Sequence, residues 1–249
     1  MLQWKKRKMR YDALACDYDG TIAENGVVSE ETIAAMRRLS QSGRRLILVT
    51  GRELPDLLQV FPRVDLFDRV VVENGAVLYR PASRETVLLA EPPPPQFVDY
   101  LRRRQVNPLS CGHVIVATCE PNEIIALEAI RALELDLHVI FNKGAVMVLP
   151  SGVNKATGLK AALNELGLSA HKCVGVGDGE NDHAFLSLCE CAVATANAVD
   201  LLKERADLVT QKPRGAGVAE LINRIIASDL KELEPRTGAA CRTPGHPRS

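Results

Sequence analysis

Ala13-Leu14-Ala15-Cys16-Asp17-Tyr18-Asp19-Gly20-Thr21 runs from an apolar strand straight into two aspartates one residue apart. A buried strand avoids carboxylates unless a metal, a partner or a reaction needs them there. Alternate residues of a strand face the same way, so Asp17 and Asp19 can both address whatever lies beyond the strand end. The pattern returns much later in Cys173-Val174-Gly175-Val176-Gly177-Asp178-Gly179-Glu180-Asn181-Asp182. Two apolar strands that each deliver aspartates at their ends suggest one acidic, metal-binding site in an open α/β sheet.

Apolar runs of strand length alternate with helix-patterned stretches around these two segments. Ser29 is placed to cap a helix whose Ile33, Met36 and Leu39 fall at helical spacing, and Gly43 ends it. Arg45–Thr50 is nearly all apolar, as a strand covered on both faces should be, and Val70–Val72 is a third short strand. The character then changes at Pro92-Pro93-Pro94-Pro95, a stiff spacer. From there to Pro150 the pattern predicts a helix near 96–105, a strand at 113–119 and a helix near 122–135. A hairpin of 138–142 and 145–149, turned at Lys143-Gly144, closes this stretch. Such an α+β unit interrupts the α/β alternation and reads as an insert. After Ser151 the parent pattern resumes with helix 155–166, strand 172–176, helix 182–189, strand 192–194, helix 198–205 and strand 208–209. The expected organisation is a core of 11–84 and 151–228, an α+β insert of 85–150, and flexible tails at 1–10 and 231–249.

Composition narrows the classes. The 249 residues are 46% hydrophobic and 25% charged, which is ordinary for a soluble globular chain. A formal net charge of zero gives no electrostatic argument for a nucleic acid or a membrane surface as partner. Aromatics at 4% argue against stacking platforms for single strands. No apolar stretch reaches membrane-spanning length, and none follows the basic Lys5-Lys6-Arg7-Lys8 as a signal sequence would require. Seven scattered cysteines, several inside apolar runs, read as reduced thiols in a cytoplasmic protein. Cys189-x-Cys191 has no second pair at zinc spacing, and Gly175-x-Gly177-x-Gly179 lacks the dinucleotide fingerprint.

Four separated segments carry a family resemblance: Asp17-x-Asp19-Gly20-Thr21, Thr50-Gly51-Arg52, Lys155, and Gly177-Asp178-Gly179-x-Asn181-Asp182. In order and context they are similar to the four motifs of the haloacid dehalogenase-like phosphohydrolase superfamily. The insert, placed between the second and third motifs, resembles the type IIB cap of Cof-type sugar phosphatases. Its shortness is closer to archaeal-type phosphoglycolate phosphatases and to sucrose- or trehalose-phosphate phosphatase relatives. One departure is Ala156-Thr157-Gly158 after the lysine, where many relatives have glycine directly.

The resemblance implies a Rossmann-like open parallel sheet with an inserted α+β cap, and a Mg²⁺-dependent phosphatase working through an aspartyl-phosphate. It makes Asp17 the nucleophile and Asp19 the general acid and then base. Thr50 and Gly51 become donors to the transferring phosphoryl group, and Lys155 the cation that neutralises it. The metal's expected ligands are the Asp17 carboxylate, the Asp19 carbonyl and Asp178, with Asp182 as ligand or orienter. Arg52 is expected either to reach the phosphate or to form a salt bridge beside it, and Asn181 to contact the phosphate or the groups around it. The expected partner is a small phosphorylated metabolite, a sugar phosphate or phosphoglycolate-like acid, met by a monomer or homodimer. Two alternatives stand beside it, a phosphomutase of the same superfamily and a non-enzymatic phospho-acceptor module. Glu73-Asn74-Gly75 reads as a turn, and His113 and His183 as structural histidines.

Overall fold

The computed structural model describes residues 9–233. Two sheets organise them. The larger has eight strands in the order β12-β11-β10-β1-β2-β3-β4-β5. Its parallel part comprises β1 (Ala13–Cys16), β2 (Arg45–Val49), β3 (Arg69–Val72), β10 (Cys173–Gly177), β11 (Cys191–Ala194) and β12 (Leu208–Val209). β4 (Val77–Arg80) and β5 (Glu85–Leu88) extend it antiparallel beyond β3.

Alternation along the central strands decides the layers. Leu14, Cys16, Leu46, Leu48, Val174 and Val176 enter one apolar cluster. Helices α1 (Glu30–Gln41) and α8 (Arg214–Ser228) cover that face through Ile33, Met36 and Leu39 and through Val218, Leu221 and Ile225. Ala13, Ala15, Ile47, Val49 and Cys173 enter the other cluster, beneath α5 (Lys155–Glu165), α6 (His183–Leu188) and α7 (Asp200–Arg205). A sheet covered on both faces needs such continuous apolar strands. Ser29 does cap α1: its hydroxyl accepts from the Thr32 N–H at 3.2 Å, an interaction worth about 1 kcal/mol. Helix α2 (Leu54–Val60) packs Leu57 into the first cluster.

The second sheet is wholly antiparallel, in the order β6-β7-β9-β8. It is built from β6 (Ser110–Cys111), β7 (Val116–Cys119), β8 (Leu137–Asn142) and β9 (Ala145–Pro150). Helices α3 (Pro95–Arg103) and α4 (Glu123–Ala132) pack Phe97, Leu101, Ala126 and Ala129 against Val116 and Val148. Lys143 and Gly144 join β8 to β9 with φ of +50° and +81°, the left-handed pair that suits a two-residue hairpin. Val114, Ile115, Met147 and Leu149 turn the other way and join the large sheet's cluster, so apolar packing crosses between the two units.

Several elements differ from the sequence expectation. β4 and β5 were not expected as strands, and the large sheet therefore runs through Leu88, past residue 85 where the insert was expected to open. The strand expected from residue 113 begins at Val116, because 113–115 spend their N–H groups elsewhere. Of the two expected tails, most residues lie outside the described range, as do Lys5–Lys8 and Cys241. Arg10, at the edge of the first, is held: its N–H donates to Asp229 Oδ2, and its guanidinium to the carbonyls of Leu230 and Leu233.

Candidate active site

The carboxyl ends of the parallel strands converge on one acidic cluster, where open α/β sheets place their ligand sites. Asp17 follows β1 and continues its ladder through its N–H to the Val176 carbonyl at 3.0 Å. Asp178 follows β10, and Asp182 lies a few residues on, before α6. One carboxylate oxygen from each of Asp17, Asp178 and Asp182 lies within 4.8 Å of the other two, and all three residues are buried. An all-oxygen, anionic donor set suits a hard divalent cation and not a soft one.

Lys155 opens α5 and runs fully buried into this cluster. Its Nζ lies 2.6 Å from Asp17 Oδ1 and 2.6 Å from Asp182 Oδ1. Burial works against the ammonium, but the two carboxylates outweigh it and hold Lys155 above the ordinary lysine range. Burial pushes the Asp17 carboxyl up, the charge of Asp182 adds to this, and Lys155 opposes both. Asp182 also accepts the N–H groups of Asp178 and Gly179 on Oδ2, each at 2.8 Å. Both of its oxygens are therefore committed to shaping the loop and holding Lys155.

Asp178 is shared among three donors. Thr21 donates to Oδ1 at 3.0 Å, Asn197 to Oδ2 at 3.2 Å, and Lys143 to Oδ2 at 2.7 Å. Burial raises the Asp178 carboxyl, against the pull of Lys143. Gly20 lies beside it with φ +83°, and a Cβ there would fall 2.3 Å from Asp178 Oδ2. Glycine is required at position 20 on both counts.

Asp19 stands apart from the three-carboxylate cluster. Both its oxygens meet the Arg52 fork, Oδ2 to Nε and Oδ1 to Nη2 at 2.7 Å each, while Arg52 Nη1 reaches Asp56 at 2.5 Å. Of the two expectations for Arg52, the structure has the salt bridge: its guanidinium is committed to the Asp19 and Asp56 carboxylates. The Thr50 hydroxyl accepts from the Arg52 N–H at 3.2 Å. Gly51 lies against Met147, Asn181 and Asn74, and Asn181 Nδ2 donates to Asn74 Oδ1 at 3.0 Å. Asn74 Nδ2, Asn142 Oδ1 and Asn181 Oδ1 are buried without a hydrogen-bond partner, and such atoms carry a desolvation penalty that a ligand would relieve. A cleft of about 370 Å³ opens at Gly51 and Arg52, lined also by Glu53, Asp56, Ser110, Ile115 and Ala117.

Several residues gathered here had no catalytic or metal role in the sequence reading, Thr21 and Asn197 on Asp178 among them. Asn142 ends β8 and Lys143 follows on the turn to β9, while Glu73 and Asn74 stand on the turn after β3. His113, read from the sequence as a structural histidine, has its Nδ1 3.0 Å from Glu73 Oε1. The signals available were weak ones: a lysine in an Asn-Lys-Gly hairpin turn, and a glutamate directly after an apolar strand.

Buried carboxylates and a buried lysine thus gather at the carboxyl edge of a capped α/β sheet, where such folds place their ligand sites. The chain belongs to the haloacid dehalogenase-like hydrolase family, whose model matches residues 14–111 and 114–222. It is 30% identical over 231 residues to phosphoglycolate phosphatase 2 of Saccharolobus solfataricus, covering 89% of this chain and 95% of that protein. With the phosphoglycolate phosphatase of Methanothermobacter thermautotrophicus it shares 29% over 222 residues, 86% of this chain and 98% of the relative. Among solved structures, a haloacid dehalogenase-like hydrolase from Bacteroides thetaiotaomicron superposes with a TM-score of 0.73 at 20% identity, over 87% of this chain and all (100%) of that one. A subclass IIB sugar phosphatase superposes with a TM-score of 0.69 at 18% identity, over 86% and 98% of the two chains.

Proposed function

We propose that the chain is a Mg²⁺-dependent phosphatase of small phosphomonoesters, with Asp17 as the nucleophile. The observation that carries this reading is the pairing of Lys155 with Asp17 and Asp182 inside a buried three-carboxylate cluster. A bound Mg²⁺ would be held by Asp17 and Asp178, with the Asp19 carbonyl, and would supply charge neutralisation for the phosphate. Asp17 attacks phosphorus and keeps the phosphoryl group as an aspartyl-phosphate while the alcohol leaves. Asp19 gives the leaving oxygen its proton and then takes one from the attacking water. Thr50, Gly51 and Asn181 hold the transferring group, and Lys155 neutralises charge that builds on it. Asp182 acts as an orienter: it fixes the 178–179 turn and Lys155 together. Arg52 occupies both Asp19 oxygens in this arrangement, so the acid role begins once Asp19 leaves that fork for the leaving-group oxygen.

Within that class, the reading favours a substrate whose organic part is a small acid. Lys143 is a half-exposed cation that the cap's hairpin carries to the edge of the acidic cluster. There it can shift from Asp178 to an anionic group on the substrate. The relatives named phosphoglycolate phosphatase point the same way, whereas the fold-level sugar phosphatase neighbour supports the neutral alternative only through its architecture. Buried Cys16 and Cys173 suit a reducing, cytoplasmic setting, and among the described residues no helix is long and apolar enough to cross a membrane. The protein would work as a monomer or homodimer.

The test is phosphate release from p-nitrophenyl phosphate, phosphoglycolate and a panel of sugar phosphates, with Mg²⁺ or EDTA. Mg²⁺-dependent release should fall at least about 10³-fold in Asp17→Asn. An isomerised sugar phosphate without free phosphate would favour the mutase instead.

A further inference from the structure

Glu73 and Asn74 both have left-handed backbones, with φ of +51° and +54°. Two consecutive non-glycine residues hold such a conformation only where their surroundings over-determine it. Here the surroundings come from three directions. On the main chain, the Glu73 N–H donates to the Arg52 carbonyl at 2.9 Å, and the Asn74 N–H to the Thr50 carbonyl at 3.0 Å. Through its side chain, Asn74 accepts from Asn181 at 3.0 Å. The Glu73 carboxylate, fully buried, reaches across to the loop that precedes β7.

That carboxylate meets a ring of donors. Oε1 accepts the His113 N–H at 2.9 Å, and Oε2 accepts those of Val114 at 2.7 Å and Ile115 at 2.9 Å. His113 Nδ1 lies 3.0 Å from Oε1, and among the described residues it is the one ion-pair partner Glu73 has. Gly112 completes the ring by lacking a side chain: a Cβ there would lie 2.7 Å from the carboxylate. Three successive main-chain N–H groups around one carboxylate form a specific socket, and a carboxylate is the side-chain group best suited to fill it.

We propose that Glu73 is a positioning residue that ties docking of the cap to assembly of the phosphoryl site. Its side chain seats the 112–115 loop of the cap. Its backbone, with that of Asn74, carries the Thr50-Gly51-Arg52 loop, and Asn74 carries Asn181. A rigid dipeptide therefore shares its geometry with the cap on one side and with the phosphate-holding groups on the other. A shift of the cap loop moves Glu73, and the left-handed pair passes that shift to Thr50 and Asn181. The kinetic side of this inference rests on the phosphatase reading; the clasp itself does not.

Two full-chain variants test it. Glu73→Gln keeps the shape but sets an N–H₂ against the socket's donors, and Gly112→Ala crowds Glu73 from the cap side without touching the site. Hydrogen exchange at the amides of Val114 and Ile115 should quicken by about tenfold or more in Glu73→Gln. In both variants kcat for p-nitrophenyl phosphate with Mg²⁺ should fall about tenfold or more, with KM changed far less, as expected when catalytic groups are misplaced. Where Glu73→Gln does not fold, Gly112→Ala carries the test. Unchanged exchange at Val114 and Ile115 in Glu73→Gln overturns the clasp. Faster exchange with kcat within about threefold of wild type in both variants overturns the positioning role. Were the wild type to release no phosphate, the phosphatase reading would fail separately, and the Asn74 amide would then decide. Its exchange quickens in Gly112→Ala under the proposal and is unchanged if the cap and the Thr50 loop are independent.

Discussion

Lys155 is the buried cation at the centre of the candidate site. It is a fully buried cation between two buried carboxylates, so its removal leaves both without their counter-charge. Breaking a buried pair from one side typically destabilises by about 3–5 kcal/mol, because the remaining charges stay desolvated. Lys155→Met should therefore lower both melting temperature and turnover. The kcat should drop about 10²–10³-fold, the scale of losing one electrostatic stabiliser of a transition state. Differential scanning calorimetry in EDTA and steady-state kinetics with Mg²⁺ read the two effects separately; an active, unshifted variant would remove Lys155 from the site's machinery. At this scale the sequence was legible. Asp17, Asp178, Asp182 and Lys155 stand where strand ends and a helix start put them, and the structure brings them together. Arg52 was less so, because its choice of Asp19 and Asp56 depends on side-chain direction and not on spacing.

The β8–β9 hairpin is the element that brings the cap into the acidic cluster. Its turn is fixed locally, by two positive φ values at Lys143 and Gly144, and its tip lies on the 178–182 loop. Asn142 Oδ1 is so near that a Cβ on Gly179 would come within 2.6 Å of it. The Lys143 contact with Asp178 is one strong, charge-assisted hydrogen bond, worth about 1.5–3 kcal/mol when remade to a ligand anion. Lys143→Met should then reduce the ratio of kcat/KM for phosphoglycolate to that for glucose 6-phosphate by about 10- to 100-fold. Equal losses on both esters would count against an acid-selecting lysine. The hairpin itself was readable from Asn142-Lys143-Gly144, but its destination was not: nothing local pairs residue 143 with residue 178. The same holds for Glu73, whose partners lie about forty residues on. β5 escaped because it is largely exposed and carries no apolar run, whereas β4 is the buried run Val77-Leu78-Tyr79 and was passed over directly after the 73–75 turn.

On the scale of the whole molecule, the fold places three carboxylates together in its interior, an arrangement that favours a bound divalent cation. Ligand binding to the folded state alone stabilises by about 2.7 kcal/mol at a concentration of 100 Kd. For a chain of this size that is a rise of roughly 5–10 °C in melting temperature. Mg²⁺ should produce such a rise in the wild type, EDTA should reverse it, and Asp178→Asn should abolish it. A wild type indifferent to Mg²⁺ would contradict the metal reading. The layered α/β architecture and the inserted second sheet were legible because continuous apolar strands and helical spacing survive averaging over many residues. The joints between the two units were not, since each depends on single side chains crossing a boundary.

The central claim is that Asp17 carries the phosphoryl group. The most direct measurement is rapid acid quench of the enzyme turning over p-nitrophenyl phosphate with Mg²⁺, followed by mass spectrometry of the peptide holding Asp17. The account predicts a transient phosphoryl increment on Asp17, absent from Asp17→Asn and from reactions in EDTA. Phosphate release that proceeds without any increment on Asp17, and that survives in Asp17→Asn, would contradict it.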